Sequence, residues 1–428
     1  MSIFKKVSVI TVNFNGKKHL PEFLESISKL EYPKKFIETI VVDNGSTDDS
    51  VSYIKKNYPE IRVITNGKNL GFAKANNIGI KKSTGEFILL LNNDTVVDSA
   101  LITEMLSCFE NDNKVAAVNA KLVLFDRYIR VSINGAHFST YLLTGSLNPV
   151  NLKAIVYAST FDNNIYEEIL IPYGHLTHNK VLLDIELIKA TSQDCFITVG
   201  KTTTKIKTKG IGTAIRHKVS ISVNDLQSEG KNLTQNTGNY FFRDGYGRDR
   251  GSIVINHELF HEIDEGQYDN LTDIEGFCGA GAMLRKEYLE KVGLFDEKFF
   301  FYYEDADLSF RLRKYGCKIL FCPKAIIRHV HAATSKSGSD FFLTNAETCR
   351  LIFLLKHWPI WYSTWKWLSY IITDSVLTPL YYLSKGRYIE GLERFVLRTQ
   401  VNLKVGLLYL SSILYLPKLT WSEVEKLQ

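Results

Sequence analysis

The residues best placed to do chemistry fall in two carboxylate patches about two hundred residues apart. The first is Asn92-Asn93-Asp94, directly after the apolar run Phe87-Ile88-Leu89-Leu90-Leu91. The second is Tyr302-Tyr303-Glu304-Asp305-Ala306-Asp307, followed by Arg311 and Arg313. A carboxylate at the end of a buried strand can hold a divalent metal against a diphosphate. A second carboxylate, in a separate acidic cluster, can take a proton from an attacking hydroxyl. Together they suggest transfer of an activated group from a nucleotide to an alcohol.

Such patches need elements that carry them to one place, and the N-terminal stretch supplies a regular alternation. Val7 to Val12 reads as a buried strand, after which Leu20, Phe23, Leu24, Ile27 and Leu30 fall on one helical face. Thr39 to Val42, Arg62 to Ile64 and Phe87 to Leu91 read as further strands, and Ile102, Met105, Leu106 and Phe109 mark another helix. Strands alternating with helices predict an α/β fold with a parallel, doubly wound sheet. Ligands of such sheets sit beyond the carboxyl ends of the strands, near the switch point. Asn13, Asp43 and Asp94 each lie at such an end. The opening has no GxGxxG; Asn13-Phe14-Asn15-Gly16 stands in its place. Asp43 can accept hydrogen bonds from a ribose or a pyrimidine N3–H, and Asn44 to Ser50 gives a turn and a helix cap.

From about Tyr141 to Gly238 the texture changes. Leu152–Tyr157, Glu168–Pro172, Val181–Ile188, Cys195–Val199 and His217–Val223 read as short strands broken by polar turns. Helical periodicity is absent, which predicts an inserted all-β module, sandwich-like, over residues 141–238. The alternation returns at about Phe241, so residues 1–140 and 239–341 read as two halves of one domain. Residues 284–316 hold helical stretches around the acidic cluster, and Lys318–Phe321 is a further strand. Over residues 342–428 the chain is apolar, aromatic and basic, with Trp358, Trp361, Trp365 and Trp367 close together. Spanning a bilayer takes about 20 mostly apolar residues. Lys366 and Asp374 interrupt Ile360 to Leu383, and Val405 to Leu416 is too short. The pattern suits amphipathic helices in peripheral contact with a headgroup layer, with packing on the core as the plainer reading.

At 428 residues and 45% hydrophobic content, the chain can build two or three domains with full cores. A net charge of +6 favours an anionic ligand or a membrane surface and makes no demand for nucleic acid. The N-terminus runs straight into a strand, which reads as no signal peptide, and the six cysteines form no CxxC pair. Both suit a reduced, cytosolic setting.

In combination the motifs resemble something specific. Val9-Ile10-Thr11-Val12-Asn13-Phe14-Asn15, Val41-Val42-Asp43-Asn44-Gly45-Ser46-Thr47-Asp48, Asn69-Leu70-Gly71-Phe72-Ala73 and Leu90-Leu91-Asn92-Asn93-Asp94 look like the ordered motifs of family 2 glycosyltransferases. The likeness continues through Gly276-Phe277-Cys278-Gly279-Ala280-Gly281-Ala282, Val292-Gly293-Leu294-Phe295-Asp296, Tyr302 to Leu308, and Arg328-His329-Val330-His331. It covers roughly residues 5–140 and 240–358, and the closest branch is the rhamnosyltransferase-like one that builds bacterial surface glycans.

The resemblance implies a GT-A fold, the Rossmann-like nucleotide-diphospho-sugar transferase architecture, and inversion at the anomeric carbon. It implies a donor such as dTDP-rhamnose or a UDP-hexose, a Mn²⁺ or Mg²⁺ cofactor, and a lipid-linked or polymeric cell-surface glycan as acceptor. Asp43 would hold the nucleoside with Thr11, Asn13 and Asn15, and Asn44, Asn69, Gly71, Asn92, Asn93 and Gly279 would complete the donor side. Asp94 matches the last acid of the family's DxD and would ligate the metal. His329 matches a position that completes the metal site, with His331 the lesser candidate. Asp305 matches the catalytic base, Glu304 stands beside it, and Arg311 is a further candidate. The implied location is cytoplasmic, peripheral at the inner face of the membrane.

Two features depart from the family pattern. Asn92 replaces the first acid of DxD, leaving one carboxylate, although an amide oxygen still suits a hard cation. The inserted β-module is the other, with acceptor-side shaping or homo-oligomerisation as its expected role. Two rival readings exist. One is a catalytically inactive nucleotide- or glycan-binding protein on the same fold, against which the retention of Asp94, Asp305 and His329 speaks. The other is a zinc metallohydrolase, because His257-Glu258-Leu259-Phe260-His261 matches HExxH, a pattern that works on a helix.

Overall fold

The computed structural model describes residues 4–144, 155–161, 164–173, 180–199, 202–207, 210–222, 230–255, 258–330 and 340–410. The chain divides into two compact units, one of Met1–Leu122, Gln235–Gly251 and Asp269–Gln428, the other of Val123–Thr234 and Ser252–Tyr268.

The larger unit opens with strands β1 (Val7–Asn13), β2 (Ile37–Asp43), β3 (Arg62–Thr65) and β4 (Phe87–Leu91). Helices α1 (Leu20–Ser28), α2 (Ser50–Asn57) and α3 (Phe72–Lys82) are the crossovers between them. The order β3-β2-β1-β4 is parallel throughout. Parallel strands are covered on both faces and so read as unbroken apolar runs, which is why every residue of β4 is buried. The α1 face of Leu20, Phe23, Leu24 and Ile27, with Leu30 just beyond, is buried as its periodicity predicts. Because β2 and β4 lie on opposite sides of β1, the switch point falls between the carboxyl ends of β1 and β4. Asn13 and Asn92–Asp94 stand there.

Beyond β4, strand β5 (Thr95–Val97) and helix α4 (Leu101–Ser107) lead to β6 (Val115–Leu124). Strand β7 (Gly281–Arg285) inserts antiparallel between β4 and β6. The strand is followed by helices α5 (Lys286–Val292) and α6 (Glu304–Lys314) and by β8 (Lys318–His329). The C-terminal helices are α7 (Asp340–His357), α8 (Ile360–Ile372), α9 (Thr378–Ser384) and α10 (Tyr388–Leu410), with a π turn at Thr373–Leu377 between α8 and α9. Phe310, Phe353, Trp358, Val401 and Val405 share one apolar cluster, so these helices have a core of their own with α6. Among the described residues no helix is long and apolar enough to cross a membrane.

In the smaller unit, a five-stranded sheet and a three-stranded sheet share one core that includes Ile133, Ile171, Ile185, Ile197 and Ile215. Cys195–Val199 forms a strand with the predicted bounds. Glu168–Pro172 and Val181–Ile188 lie inside longer strands, Asn164–Tyr173 and Lys180–Lys189. The predicted strand at 152–157 and the one at 217–223 lie partly outside the described residues. The stretch that carries HExxH is not helical over its described residues. Glu258–Ile263 is a β-strand, antiparallel to Ser252–Ile255. The pattern brings two histidines onto one face only on a helix, and Glu258 to His261 are not helical. His257 itself lies outside the described residues.

Candidate active site

The donor-side residues form a net of amides at the ends of β1 and β2. Register pairs Asn13 with Asp43. Asn13 Nδ2 donates to Asp43 Oδ1 and Ser46 Oγ, both at 3.0 Å, while its Oδ1 accepts from Asn93 Nδ2 at 2.8 Å. Asp43 Oδ2 accepts the N–H groups of Gly45 and Ser46 at 3.2 and 3.1 Å. The carboxylate is thereby aimed, and its oxygens keep lone pairs for a ligand. Gly16 makes room for this net, since a Cβ there would lie 2.0 Å from Asn93 Nδ2. Asn15, at φ 50°, donates its N–H to Ser46 Oγ and accepts from the Thr47 N–H. Thr11 Oγ1 is buried with no hydrogen-bond partner.

Asn44 is a different case. Its Nδ2 donates to Asn69 Oδ1 and the Gly71 carbonyl, and its Oδ1 accepts from Asn66 Nδ2 and the Leu70 N–H. Four bonds saturate the amide. Asn44, Asn69 and Gly71 tie the loop after β2 to the start of α3, and Asn44 has no capacity left for a ligand.

The first carboxylate patch meets its histidine through strand pairing. β5 runs antiparallel to the end of β8, setting His329 opposite Thr95, and Val330 N–H donates to the Asp94 carbonyl at 3.0 Å. His329 Nε2 is 3.1 Å from Asp94 Oδ1 and 3.3 Å from Asn92 Nδ2. On the other side of the ring, Nδ1 is 2.9 Å from Gln235 Oε1. An amide oxygen only accepts, so Nδ1 carries a hydrogen toward Gln235, and in the neutral ring Nε2 is the nitrogen with the lone pair. Asp94 Oδ1, buried, has no hydrogen-bond partner and lies 3.1 Å from the ring nitrogen. A carboxylate oxygen and the Nε2 of a neutral imidazole at this distance can share a cation. Adjacent ligands of an octahedral ion bonded at about 2.1 Å are about 3 Å apart, which matches. Among the described residues no three His, Cys, Asp or Glu side chains gather as a metal-holding group. A metal here would therefore need further oxygens from its substrate, from water or from the Asn92 amide. His331 lies outside the described residues.

The second patch begins with strain. Tyr302 and Tyr303 hold φ of 75° and 67°, a region that costs bulky residues energy and that turns the chain sharply into α6. Asp305 Oδ2 accepts the Gly279 N–H at 3.0 Å, and Oδ1 accepts the Ala306 N–H at 2.8 Å. Burial raises its pKa above the ordinary carboxylate value, and the N–H bonds only partly oppose this. Glu304 is buried with Oε2 unpartnered, and burial together with the neighbouring Asp305 charge holds its carboxyl well above the usual range. Arg311 is committed elsewhere: it donates to Asp307, and to the carbonyls of Val292, Gly293 and Leu294 at 2.7 to 2.9 Å.

One carboxylate was not singled out by the sequence. Asp249, on a short strand (Gly247–Asp249), accepts from Asn236 Nδ2 at 2.8 Å. Asn236 Oδ1 in turn accepts from Asn119 Nδ2 at 3.2 Å, and Asn119 Oδ1 accepts the Cys278 N–H at 2.7 Å, next to Gly279. Burial pushes the Asp249 carboxyl up to about 6, with the charge of Asp305 raising it and His329 lowering it. One group thus feels both patches. Gln235 was missed too. Neither sits in a periodic run or a recognisable spacing, so no local signal marked them.

A profile of glycosyl transferase family 2 matches residues 8–170, and one of glycosyl transferase family group 2 matches residues 215–384. An N-acetylglucosaminyltransferase of Bradyrhizobium elkanii is 33% identical over 130 residues, covering 29% of this chain and 70% of that protein. The chain belongs to glycosyltransferase family 2. The poly(ribitol-phosphate) beta-N-acetylglucosaminyltransferase TarS of Staphylococcus aureus (strain MW2) is 25% identical over 206 residues, which is 45% of this chain and 35% of TarS. The match with this chain therefore spans about a third of TarS. Among solved structures, GalNAc-T7 with UDP, GalNAc and Mn2+ aligns at 13% identity with a TM-score of 0.48, covering 94% of this chain and 55% of that one.

Proposed function

We propose that this chain is an inverting, metal-assisted glycosyltransferase that moves one sugar from a nucleotide-diphosphate donor to a hydroxyl of a lipid-linked or polymeric cell-surface glycan. The observation that carries the reading is a hydrogen-bonded path between the patches: Gln235 holds His329, and its neighbour Asn236 bonds Asn119, which holds the Cys278 N–H next to the Gly279 N–H that Asp305 accepts. Of the donors considered, a UDP-linked hexose is favoured over dTDP-rhamnose, because the two curated relatives are named as N-acetylglucosaminyltransferases. Residues 1–140 bind the nucleotide sugar and 239–341 supply the acceptor side and the base. Residues 141–238 shape the acceptor side or join copies, and 342–428 lie at the inner membrane face.

Asp43, aimed by Asn13 and two backbone N–H groups, accepts from the nucleoside. Asp94 and His329 would hold Mn²⁺ or Mg²⁺, with Asn92 and diphosphate oxygens completing the shell. Such an ion, when bound, neutralises charge on the departing diphosphate. Gln235 keeps His329 in the tautomer that presents Nε2. Asp305 takes the proton of the acceptor hydroxyl as its oxygen attacks C1. A carboxylate raised toward neutral pH is better matched to that task than an ordinary one. Glu304, whose carboxyl is raised by burial and by the Asp305 charge, stands beside the base with Oε2 unpartnered. A single displacement of this kind inverts the anomeric centre. Asp305→Asn tests the assignment: transfer should fall about 10²–10⁴-fold while nucleotide affinity stays within a factor of about two. Loss of nucleotide binding together with transfer would remove Asp305 from the role of base.

A further inference from the structure

Helices normally turn their apolar stripe inward and their polar face to water. α8 and α10 do the reverse as well as the usual. Inward, Val401 and Val405 of α10 are buried in the C-terminal core, and Tyr362, Trp367 and Tyr370 of α8 pack against it. Outward, Trp361, Trp365, Leu368, Ile372, Val376 and Leu380 are each 47 to 62% exposed. Their spacing of three or four residues keeps them on one face, and the π turn takes up the extra residue between α8 and α9. On α10, Ile389, Leu392, Val396, Leu403 and Leu407 are 46 to 76% exposed at helical spacing. The two helical segments are antiparallel neighbours. Gly391 packs on Pro379 and Leu383, where a Cβ would come within 3.2 Å of both, and Gly406 faces Trp367. Two parallel apolar stripes therefore lie side by side, the longer running for about 30 Å. A helix apolar all round is one whose outer face also has a cover.

The charges choose the cover. Lys366 Nζ lies 5.4 Å from the Trp365 ring centroid, Lys385 lies 5.8 Å from Tyr381, and the Arg387 guanidinium 5.0 Å from Tyr382. From Trp358 to Leu410 the sequence carries six Lys and Arg against three Asp and Glu. A two-fold contact with a second copy would set this cationic border against itself, a repulsive arrangement. Phosphate headgroups above hydrocarbon accept it, with Trp and Tyr rings at the boundary. We infer that the outer face of α8, α9 and α10 docks in the headgroup layer of an anionic lipid bilayer, lying in its plane without crossing it. This deepens the reading above, resting on it only for the purpose, which is to keep the enzyme beside a lipid-linked acceptor.

The test is co-sedimentation of the full chain with vesicles of phosphatidylcholine alone and of phosphatidylcholine mixed with phosphatidylglycerol. Wild type should bind the mixed vesicles, and added salt should weaken binding. The triple variant Trp365→Ser, Leu368→Ser, Leu380→Ser should bind at least about tenfold more weakly, with its melting point and UDP affinity unchanged because these side chains face solvent. The double variant Lys385→Gln, Arg387→Gln should lose several-fold on the mixed vesicles and nothing on the neutral ones. Wild type remaining in the supernatant with mixed vesicles at low salt would overturn the inference. So would a wild-type dimer that the triple variant splits while vesicle binding is absent; the face would then join two copies. Vesicle binding needs no donor sugar, so its failure leaves the transfer reading standing, and a failed transfer assay leaves the docking surface standing.

Discussion

Asp305 and Asp307 lie two residues apart on α6 and meet opposite surroundings on its two sides. Asp307 is fully buried against Lys356 Nζ at 2.6 Å, His357 Nε2 at 2.8 Å and Arg311 Nη2 at 2.8 Å. Hydrogen bonding to His357 and the charges of Arg311 and Lys356 outweigh burial, and its carboxyl is held far below the ordinary range. Asp305 has backbone N–H partners at Gly279 and Ala306, and its carboxyl is raised. A carboxylate that builds structure is matched with cations; one that must give and take a proton is left unneutralised. The same helix does both, and the acidic letters of the sequence do not distinguish them.

That contrast can be broken in several ways. The largest expected effect on stability is Asp307→Ala, which strands buried Lys356 and Arg311 and should cost about 3–5 kcal/mol, read by urea denaturation. Asp305→Asn should leave stability unchanged or slightly raised. The pH dependences have opposite signs. A depressed carboxyl stabilises the fold above its unfolded value near 4, and that contribution is lost as pH falls toward the folded value. A raised one destabilises the ionised fold as pH rises past 4. Next, Gln235→Ala frees the His329 ring, and Mn²⁺ affinity by titration calorimetry should drop about 10–100-fold with nucleotide-free stability little altered. Gly16→Ala would push Asn93 off Asn13 and should weaken nucleotide binding about tenfold, a lost buried hydrogen bond, with the fold intact by circular dichroism. Smallest is Asp249→Asn. With its carboxyl pushed up to about 6, the mutation should stabilise the apo protein by about 1 kcal/mol above pH 6, allowing for partial solvent access, and by nothing below pH 4.

The parallel half of the sheet was legible because buried strands and amphipathic helices write their periods into the sequence. Phe87–Leu91 and the α1 face could be read residue by residue. Asp43, Asp94 and His329 were legible as motif positions. Gln235, Asp249 and the Asn119–Asn236 link were not. They come from chain segments far apart in sequence, and a buried amide is specified by partners that only folding assembles. The strand Glu258–Ile263 carried a misleading pattern, because HExxH fixes residue types and leaves the period to context. Arg311 read as a candidate from its nearness to the acidic turn, yet its guanidinium clamps the carbonyls of residues 292–294.

The most direct test of the central claim, that the strand-end patch and its histidine hold a metal against a nucleotide diphosphate, is thermal unfolding with UDP and dTDP, each with and without Mn²⁺, in wild type and Asp94→Ala. A ligand at 100 times its dissociation constant adds about 2.7 kcal/mol, several degrees of melting temperature. The predicted result is a shift with UDP that needs Mn²⁺ and disappears in Asp94→Ala. An equal shift without the metal, or one that survives in Asp94→Ala, would contradict it.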